Sequence, residues 1–464
     1  MGIGSISEGK DAHYKPETNG IASKNGLTDP CREMAHIGIL CMAASGHLNP
    51  MLALSHELQE RGHHISVIGV ADAKQKVIDA GLAFVQVGKE AYPPGYTDQM
   101  LKRIGSLAGM TAVNATVEHF QQTVQMELAE IPDVLRALSV DALLVDQACF
   151  SGGTIAQELD IPFISVSCAL LLNWESSIPP VSTGWRFDPS IVGRWRNRIG
   201  KSLFDQIAKP VTQTVVNYRE NKGLWRLSSG AEAWSPILQI SQQPRSFEYP
   251  RRELPDWFHF TGPLTHSKAR KQIYFEWEKL NAKPMIYASL GTIQNQDLSV
   301  FKTIGKACES IDAQLVISLG GGNEAEELKE LAPTVIVVST APQLELLERA
   351  SLTITHAGLN TVLESLSQGV PMVCLPITND QPDVAARVAW TGTGVSLPLT
   401  ELSSKRLSKA VRRVWENENY KINARQLQQE IRKSGGTSHA ATLVEMAVAT
   451  GKPVVRGNTA AKDV

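Results

Sequence analysis

An α/β protein of two Rossmann-like halves, each with a parallel sheet and the two facing across a cleft, is what this sequence predicts. Three observations lead there. At 464 residues the chain has the length of two domains rather than one. From Met34 onward short apolar runs alternate with segments of helical period, and strands alternating with helices build parallel sheets covered on both faces. The alternation breaks at a polar stretch, 264–283, and starts again at Pro284.

In chain order, residues 1–33 are polar and rich in Gly, Ser, Lys and Asn, with no apolar core of signal-peptide length, and are expected to form a disordered tail. The first domain, 34–263, opens with a strand at 36–42 and a helix at 50–61. Strands follow at 65–70, 84–87, 142–145, 163–167, 236–240 and 259–261, with a short helix ending at 77–80 and helical patterns at 98–138 and 154–159. Several of the runs are apolar throughout, the mark of strands buried on both faces. The linker, 264–283, is polar and helical in pattern. The second domain, 284–436, carries strands at 285–289, 314–318, 335–338, 352–355 and 372–375, each followed by a helix pattern. A last helix, 437–450, presents Ala441, Val444, Met446 and Ala447, and 451–464 is a second tail.

Composition narrows the function classes. The chain is 43% hydrophobic and 20% charged, ordinary for a soluble globular protein with sizeable cores. A net charge of −2 creates no field that would gather nucleic acid, so none is expected as a partner. The cysteines Cys31, Cys41, Cys149, Cys168, Cys308 and Cys374 are scattered without a CxxC pair, and four of them lie in or beside apolar runs, where cysteine is a small hydrophobe. A reducing cytoplasm is the expected compartment. The longest apolar stretch, 161–172, is too short to span a bilayer.

The most informative segment is 342–394. There the apolar run Leu352, Thr353, Ile354, Thr355 leads straight into His356-Ala357-Gly358-Leu359-Asn360-Thr361, and a helix pattern with Val362, Leu363 and Leu366 follows. A strand feeding a small-residue loop into a helix start makes an anion pocket, because unpaired backbone N–H groups and the positive end of the helix dipole coincide. His356, Asn360 and Thr361 add side-chain donors, and Glu364, four residues beyond Asn360, shares that face. A carboxylate suits sugar hydroxyls better than a phosphate, and phosphate beside hydroxyls means a nucleotide. Asp380-Gln381, after the next apolar strand, can hold a second polyol. Taken singly, Glu364 also fits an ordinary surface helix position and Asp380 a turn before Pro382.

In its order and spacing this segment resembles the donor-binding signature of family 1 glycosyltransferases, which move a sugar from a UDP-sugar to small lipophilic molecules. The resemblance implies the GT-B fold, with the last helix packed back onto the first domain. It also implies that Gln343 contacts the uracil, that His356, Gly358, Asn360 and Thr361 hold the diphosphate, and that Glu364 grips the ribose. Asp380 and Gln381 would read the transferred sugar. Gly291 and Thr292, in a Ser289-Leu290-Gly291-Thr292 loop, match a further phosphate loop. Gly320-Gly321-Gly322 is as compatible with a plain loop as with a nucleoside contact. One position departs: Thr340 stands where many members carry a Trp stacked on the base. No resident cofactor is implied, the UDP-sugar being a cosubstrate.

The first domain supplies a base. His47, after Gly46 in the loop that follows the first strand, sits at the ligand edge of the sheet, and an imidazole with a pKa near 6.5 suits proton transfer at neutral pH. Read alone, it could equally cap the helix or touch a phosphate. Asp146, at the carboxyl end of a buried strand, could fix the imidazole tautomer or simply begin a turn. In the family a His in this G-H-x-x-P context deprotonates the acceptor and an Asp at this strand end supports it, which implies His47 and Asp146 as the catalytic pair. The expected reaction is a direct displacement with inversion. No D-x-D occurs in the chain, so metal-independent activity is expected.

Residues 168–201 carry A-L-x-L-N-x-E-x-x-x-P-P, a later Trp and R-x-R-N, and 379–387 read N-D-Q-P-x-V-A-A-R. These resemble the zeaxanthin glucosyltransferase subgroup, which implies UDP-glucose as donor and a hydroxylated carotenoid as acceptor. A polyketide, flavonoid or sterol acceptor is the nearest alternative; an epimerase or a non-catalytic nucleotide-sugar-binding helper subunit stands further off. Within 185–204, Ile191, Trp195, Ile199 and Leu203 form one helical stripe flanked by Arg194, Arg196, Arg198 and Lys201. Such a segment can rest on an anionic membrane surface, giving a cytoplasmic protein peripheral to the membrane, or can pack on its own domain with solvated arginines.

Overall fold

Two parallel sheets organise the chain. The computed structural model describes residues 34–457 except 106, 108, 228–229, 271, 292–296, 322, 324, 329–330 and 332–334. The tail 1–33, the end of the second tail, Thr292 and Gly322 therefore lie outside the described residues. The first sheet has strands β1 (His36–Leu40), β2 (His64–Gly69), β3 (Ala83–Gln86), β4 (Ala142–Asp146), β5 (Phe163–Ser167), β6 (Gln239–Ser241) and β7 (Phe258–Phe260) in the order β3-β2-β1-β4-β5-β6-β7. The second has β8 (Met285–Ser289), β9 (Gln314–Ser318), β10 (Val335–Val338), β11 (Ala350–Thr355), β12 (Met372–Cys374) and β13 (Gly394–Ser396) in the order β10-β9-β8-β11-β12-β13. All their pairings are parallel. Central strands such as β4 and β8 are buried at every residue, which is why they read as unbroken apolar runs.

In each sheet the strand order reverses at one point: β1 lies between β2 and β4, and β8 between β9 and β11. Loops beyond the carboxyl ends of strands part there, and ligands of open α/β sheets bind in that crevice. His47 follows β1, Asp146 ends β4, Gly291 follows β8 and His356 follows β11. All four lie at the two reversal points.

Several elements differ from their sequence expectation. The helix expected at 50–61 is Ser45–Glu60, with Pro50 inside it; the absent Pro50 N–H leaves the Gly46 carbonyl, its i−4 acceptor, to Asn360 Nδ2. The 98–138 region is two helices, Tyr96–Gly105 and Gly109–Leu138. The helical stripe within 185–204 belongs to a longer helix, Ile191–Asn221, and strand β13 was not anticipated. The linker contains two short 3₁₀ turns, Ser267–Ala269 and Trp277–Lys279, in place of a helix.

The last helix, Gly436–Thr450, buries Ala440, Ala441, Leu443, Val444 and Ala447 in the same core as Ile37, Ile39, Leu54 and Leu58 of the first half. Its small residues allow close approach, and Leu443 and Val444 each contribute about 1.5–3 kcal/mol of burial. Arg61 fastens the contact at its edge, donating to Glu445 Oε2 at 2.9 Å and to the Ser438 carbonyl at 2.8 Å.

The two halves also share buried polar contacts. Arg387, on helix Gln381–Trp390, donates to Glu248 Oε1 at 2.8 Å, both side chains being almost wholly buried, and its guanidinium lies 4.3 Å from the Tyr249 ring centre. Arg251 Nε also lies 3.4 Å from Glu248 Oε1, so removing Arg387 leaves Glu248 with one buried cation where it had two. Arg387→Ala is therefore expected to cost about 3 kcal/mol of stability, read as a lower urea midpoint, because the buried carboxylate loses its shorter contact. An unchanged midpoint would show the contact to be dispensable.

Candidate active site

In the first half, His47 stands in the first turn of its helix, behind an N-cap, Ala44, that offers no side-chain acceptor. Because β4 is hydrogen-bonded beside β1, the Asp146 carboxylate at its end meets the imidazole: Nδ1 to Oδ2 is 2.6 Å. The other oxygen, Oδ1, accepts from the Ala148 N–H at 3.2 Å. An ionised carboxylate can only accept, so the ring proton lies on Nδ1 and Nε2 keeps its lone pair. Burial pulls the imidazole pKa down, but the charge and hydrogen bond of Asp146, together with the Asp380 charge, outweigh it, so His47 titrates above the usual histidine value.

In the second half, His356 sits between two glycines. A Cβ added at Gly291 or at Gly358 would come within 2.6 Å of its imidazole, and Gly291 also has φ of +77°. Both positions therefore require glycine. Burial lowers the His356 pKa to about 4, against an opposing backbone contact at Ser289, so the ring is neutral at physiological pH and acts as a hydrogen-bonding group. Gly358 caps helix Leu359–Ser367 without a side-chain bond, leaving first-turn N–H groups for an anion. Burial raises the Asp380 pKa, and His47 acts in the opposite sense.

Asn360 joins the two reversal points. Its Nδ2 donates to the Gly46 carbonyl at 3.0 Å, and its Oδ1 accepts from Gln242 Nε2 at 2.9 Å. The residue before His47 thus touches the turn that follows His356. Deeper in the second half, Gln343 Nε2 donates to Glu364 Oε2 at 2.6 Å and to Thr361 Oγ1 at 3.3 Å, while Tyr287 donates to Gln343 Oε1 at 3.2 Å. Gln343, Thr361 and Glu364 form one cluster. Thr340 faces Gly321, with 3.6 Å between its Cγ2 and a Cβ built there. Gln381 uses its Oε1 to accept from the Ile377 and Thr378 N–H groups at 2.9 and 3.1 Å, which shapes its own loop.

Three participants escaped the sequence reading. Arg270, from the linker, donates to Glu364 Oε1, so the carboxylate is engaged at both oxygens. No pattern marks a lone Arg in a polar stretch. Gln242, which holds Asn360, follows β6. Asp383 accepts from the Ser182 and Gly184 N–H groups, the latter at 2.7 Å, tying 182–184 of the first half to the Asp380 loop. Its spacing from Asp380, one helical turn, could have revealed it. Burial raises its pKa to about 6. Among the described residues, Glu57, Glu60 and His266 place potential metal ligands close together, but at the far end of the His47 helix, where Arg61 and Lys268 already pair with the carboxylates.

An imidazole with an open Nε2, backed by a carboxylate and set beside an anion-favouring helix start, can take a proton from a nucleophile while charge gathers on a leaving group. A family model described as "UDP-glucoronosyl and UDP-glucosyl transferase" matches residues 195–434. The chain belongs to this family. A second model, "Glycosyltransferase family 28 N-terminal domain", matches residues 39–145. The chain is 32% identical to a zeaxanthin glucosyltransferase of Pantoea ananas over 92% of its own length and 99% of that protein. It is 24% identical to the NDP-glycosyltransferase YjiC of Bacillus subtilis (strain 168), covering 88% and 96% of the two chains. The solved glycosyltransferase of kitacinnamycin matches with a TM-score of 0.71 at 24% identity, over 89% of this chain and 98% of that one. The calicheamicin glycosyltransferase CalG4 gives 0.69 at 22%, over 91% and 100%. At these identities the structures speak to the fold, which is GT-B. The protein is a UDP-glycosyltransferase, an enzyme of the hexosyltransferase class, and the epimerase and helper alternatives fall away. No helix among the described residues is long and apolar enough to cross a membrane.

Proposed function

We propose that this UDP-glycosyltransferase moves glucose from UDP-glucose to a hydroxyl of a small lipophilic acceptor, a carotenoid such as zeaxanthin, with inversion at the anomeric carbon. The observation that carries the chemistry is the Asn360–Gly46 hydrogen bond at 3.0 Å, which brings the base of one half to the anion-binding turn of the other. His47 Nε2 takes the acceptor proton as the oxygen attacks, and Asp146 stabilises the imidazolium that forms. The glycosidic C–O bond to the diphosphate breaks, and the charge left on UDP is met by the helix start at Gly358, neutral His356 and the backbone at Gly291. Gln343 reads the base, Glu364 the ribose, and Asp380 with Gln381 the glucose. Asn360 and Thr361 complete the diphosphate site.

The acceptor reading is supported by the 32% identity to a zeaxanthin glucosyltransferase and by the residue pattern at 168–201. The enzyme would work in the cytoplasm. A mass-spectrometric acceptor screen with UDP-glucose tests the acceptor, with zeaxanthin beside flavonoid, sterol and polyketide alcohols. Glucosylated zeaxanthin is the expected product; transfer only to another class would reassign the acceptor. The reaction is expected to keep its rate in excess chelator, since helix N–H groups and imidazole take the role of a divalent ion. Loss of turnover restored by one specific cation would overturn that part.

A further inference from the structure

The helix Ile191–Asn221 carries an apolar ridge on its solvent side. Ile191, Trp195, Ile199, Leu203 and Ile207 recur every fourth residue, and they are 76%, 61%, 60%, 55% and 36% exposed, with Val192 and Phe204 exposed beside them. At 1.5 Å per residue this ridge runs about 24 Å. Residues that the same helix buries, Gly193, Asn197, Val211, Val215 and Arg219, lie on another face, so the exposed side is not its packing side. Large apolar patches of this kind mark interaction surfaces.

The charge around the ridge indicates the partner. The chain as a whole carries −2, yet 185–209 holds six basic residues against two acidic ones. Arg198 lies 5.9 Å from the Trp195 ring centre, and Lys201 lies 5.6 Å from that of Trp174. A groove beside the ridge is lined by Trp174, Arg198, Lys201, Asp205 and Lys209. Lys201 already pairs with Asp205 at 2.5 Å, which leaves Arg194, Arg198 and Lys209 as the excess cations along the ridge. Anionic lipid headgroups complement them, and the acyl region receives the apolar side chains.

We propose that the Ile191–Ile207 ridge is a docking face for an anionic membrane surface, and that 185–190 joins it to the sugar-binding loop. This deepens the proposed function and rests on it for the acceptor. Within 185–190 two rings pack inward: Arg196 covers the Trp185 ring at 4.8 Å, and Phe187 stacks on Tyr249 at 5.0 Å, while Arg186, Pro189 and Ser190 stay exposed. The chain just before them, Ser182 and Gly184, donates to Asp383 beside Asp380 and Gln381. A lipophilic alcohol leaving the bilayer at the ridge thereby arrives beside the donor sugar.

Co-sedimentation of the full chain with phosphatidylcholine vesicles, with and without phosphatidylglycerol, tests this. Binding is expected only with phosphatidylglycerol and should weaken as salt rises. Arg194→Gln with Arg198→Gln is expected to lower partitioning about 30-fold, and serine at Trp195, Ile199 and Leu203 about 100-fold. Turnover on detergent-solubilised acceptor, run in parallel, should be unchanged in both variants. No vesicle binding by the wild type, binding indifferent to both variants, or a dimer that the serine variant dissolves would each overturn the docking face. Vesicle binding needs neither donor nor acceptor, so absent turnover with intact binding would instead count against the proposed function.

Discussion

Replacing His47 with alanine is expected to lower turnover about 1,000-fold while leaving UDP binding intact, because a positioned general base contributes about 100- to 10,000-fold and its side chain does not hold the nucleotide. Asp146→Asn should lose about 100-fold or more: a carboxamide cannot stabilise the imidazolium by charge, and it no longer enforces the Nδ1–H tautomer set across 2.6 Å. The pH profile separates the two roles. His47 must be neutral to accept a proton, and its pKa is held above 6.5 by Asp146 and Asp380 against burial. Wild-type kcat/KM should therefore fall as pH drops through a value above 6.5. In Asp146→Asn the main raising influence is gone while burial remains, so the acid limb moves to lower pH even as the plateau drops. Calorimetry with UDP and a UDP-release assay across pH measure all of this. A His47→Ala enzyme keeping a tenth of wild-type turnover would remove the base from the mechanism.

Glu364→Ala is expected to weaken UDP about 100-fold. The carboxylate is only 3% exposed, and two hydroxyl donors on a charged acceptor are worth about 1.5 kcal/mol each. Arg270 donates to Oε1 of the same carboxylate, whose oxygens can each accept a further hydrogen bond. Comparing UDP with 2′-deoxy-UDP isolates the contact. The wild type should prefer UDP about tenfold, and the Ala variant should not discriminate. Equal discrimination in both proteins would mean that Glu364 does not meet the ribose.

The turn from β11 into the next helix was legible because it is local. His356, Gly358, Asn360, Thr361 and Glu364 lie within nine residues, and strand period followed by helix period dictates which of them share a face. The same locality exposed the Ile191–Leu203 stripe but could not say which way it faced. The structure turns it to solvent and continues it to Ile207, while Trp185 and Phe187 pack inward. The helix begins at Ser45, five residues before the expected start at Pro50.

Alternating strands and helices, two series of them, and a nucleotide-type turn in the second were determined by the amino-acid order alone, since periodicity and turn chemistry act over a few residues. Only the tertiary structure decided that Asp146 meets His47 across 99 positions, that Asn360 reaches Gly46, that Arg387 pairs with Glu248, and that Arg270 occupies Glu364. Parallel strands reach their neighbours through long crossovers, so the strand order, and with it the set of loops that share a crevice, follows from how whole layers pack.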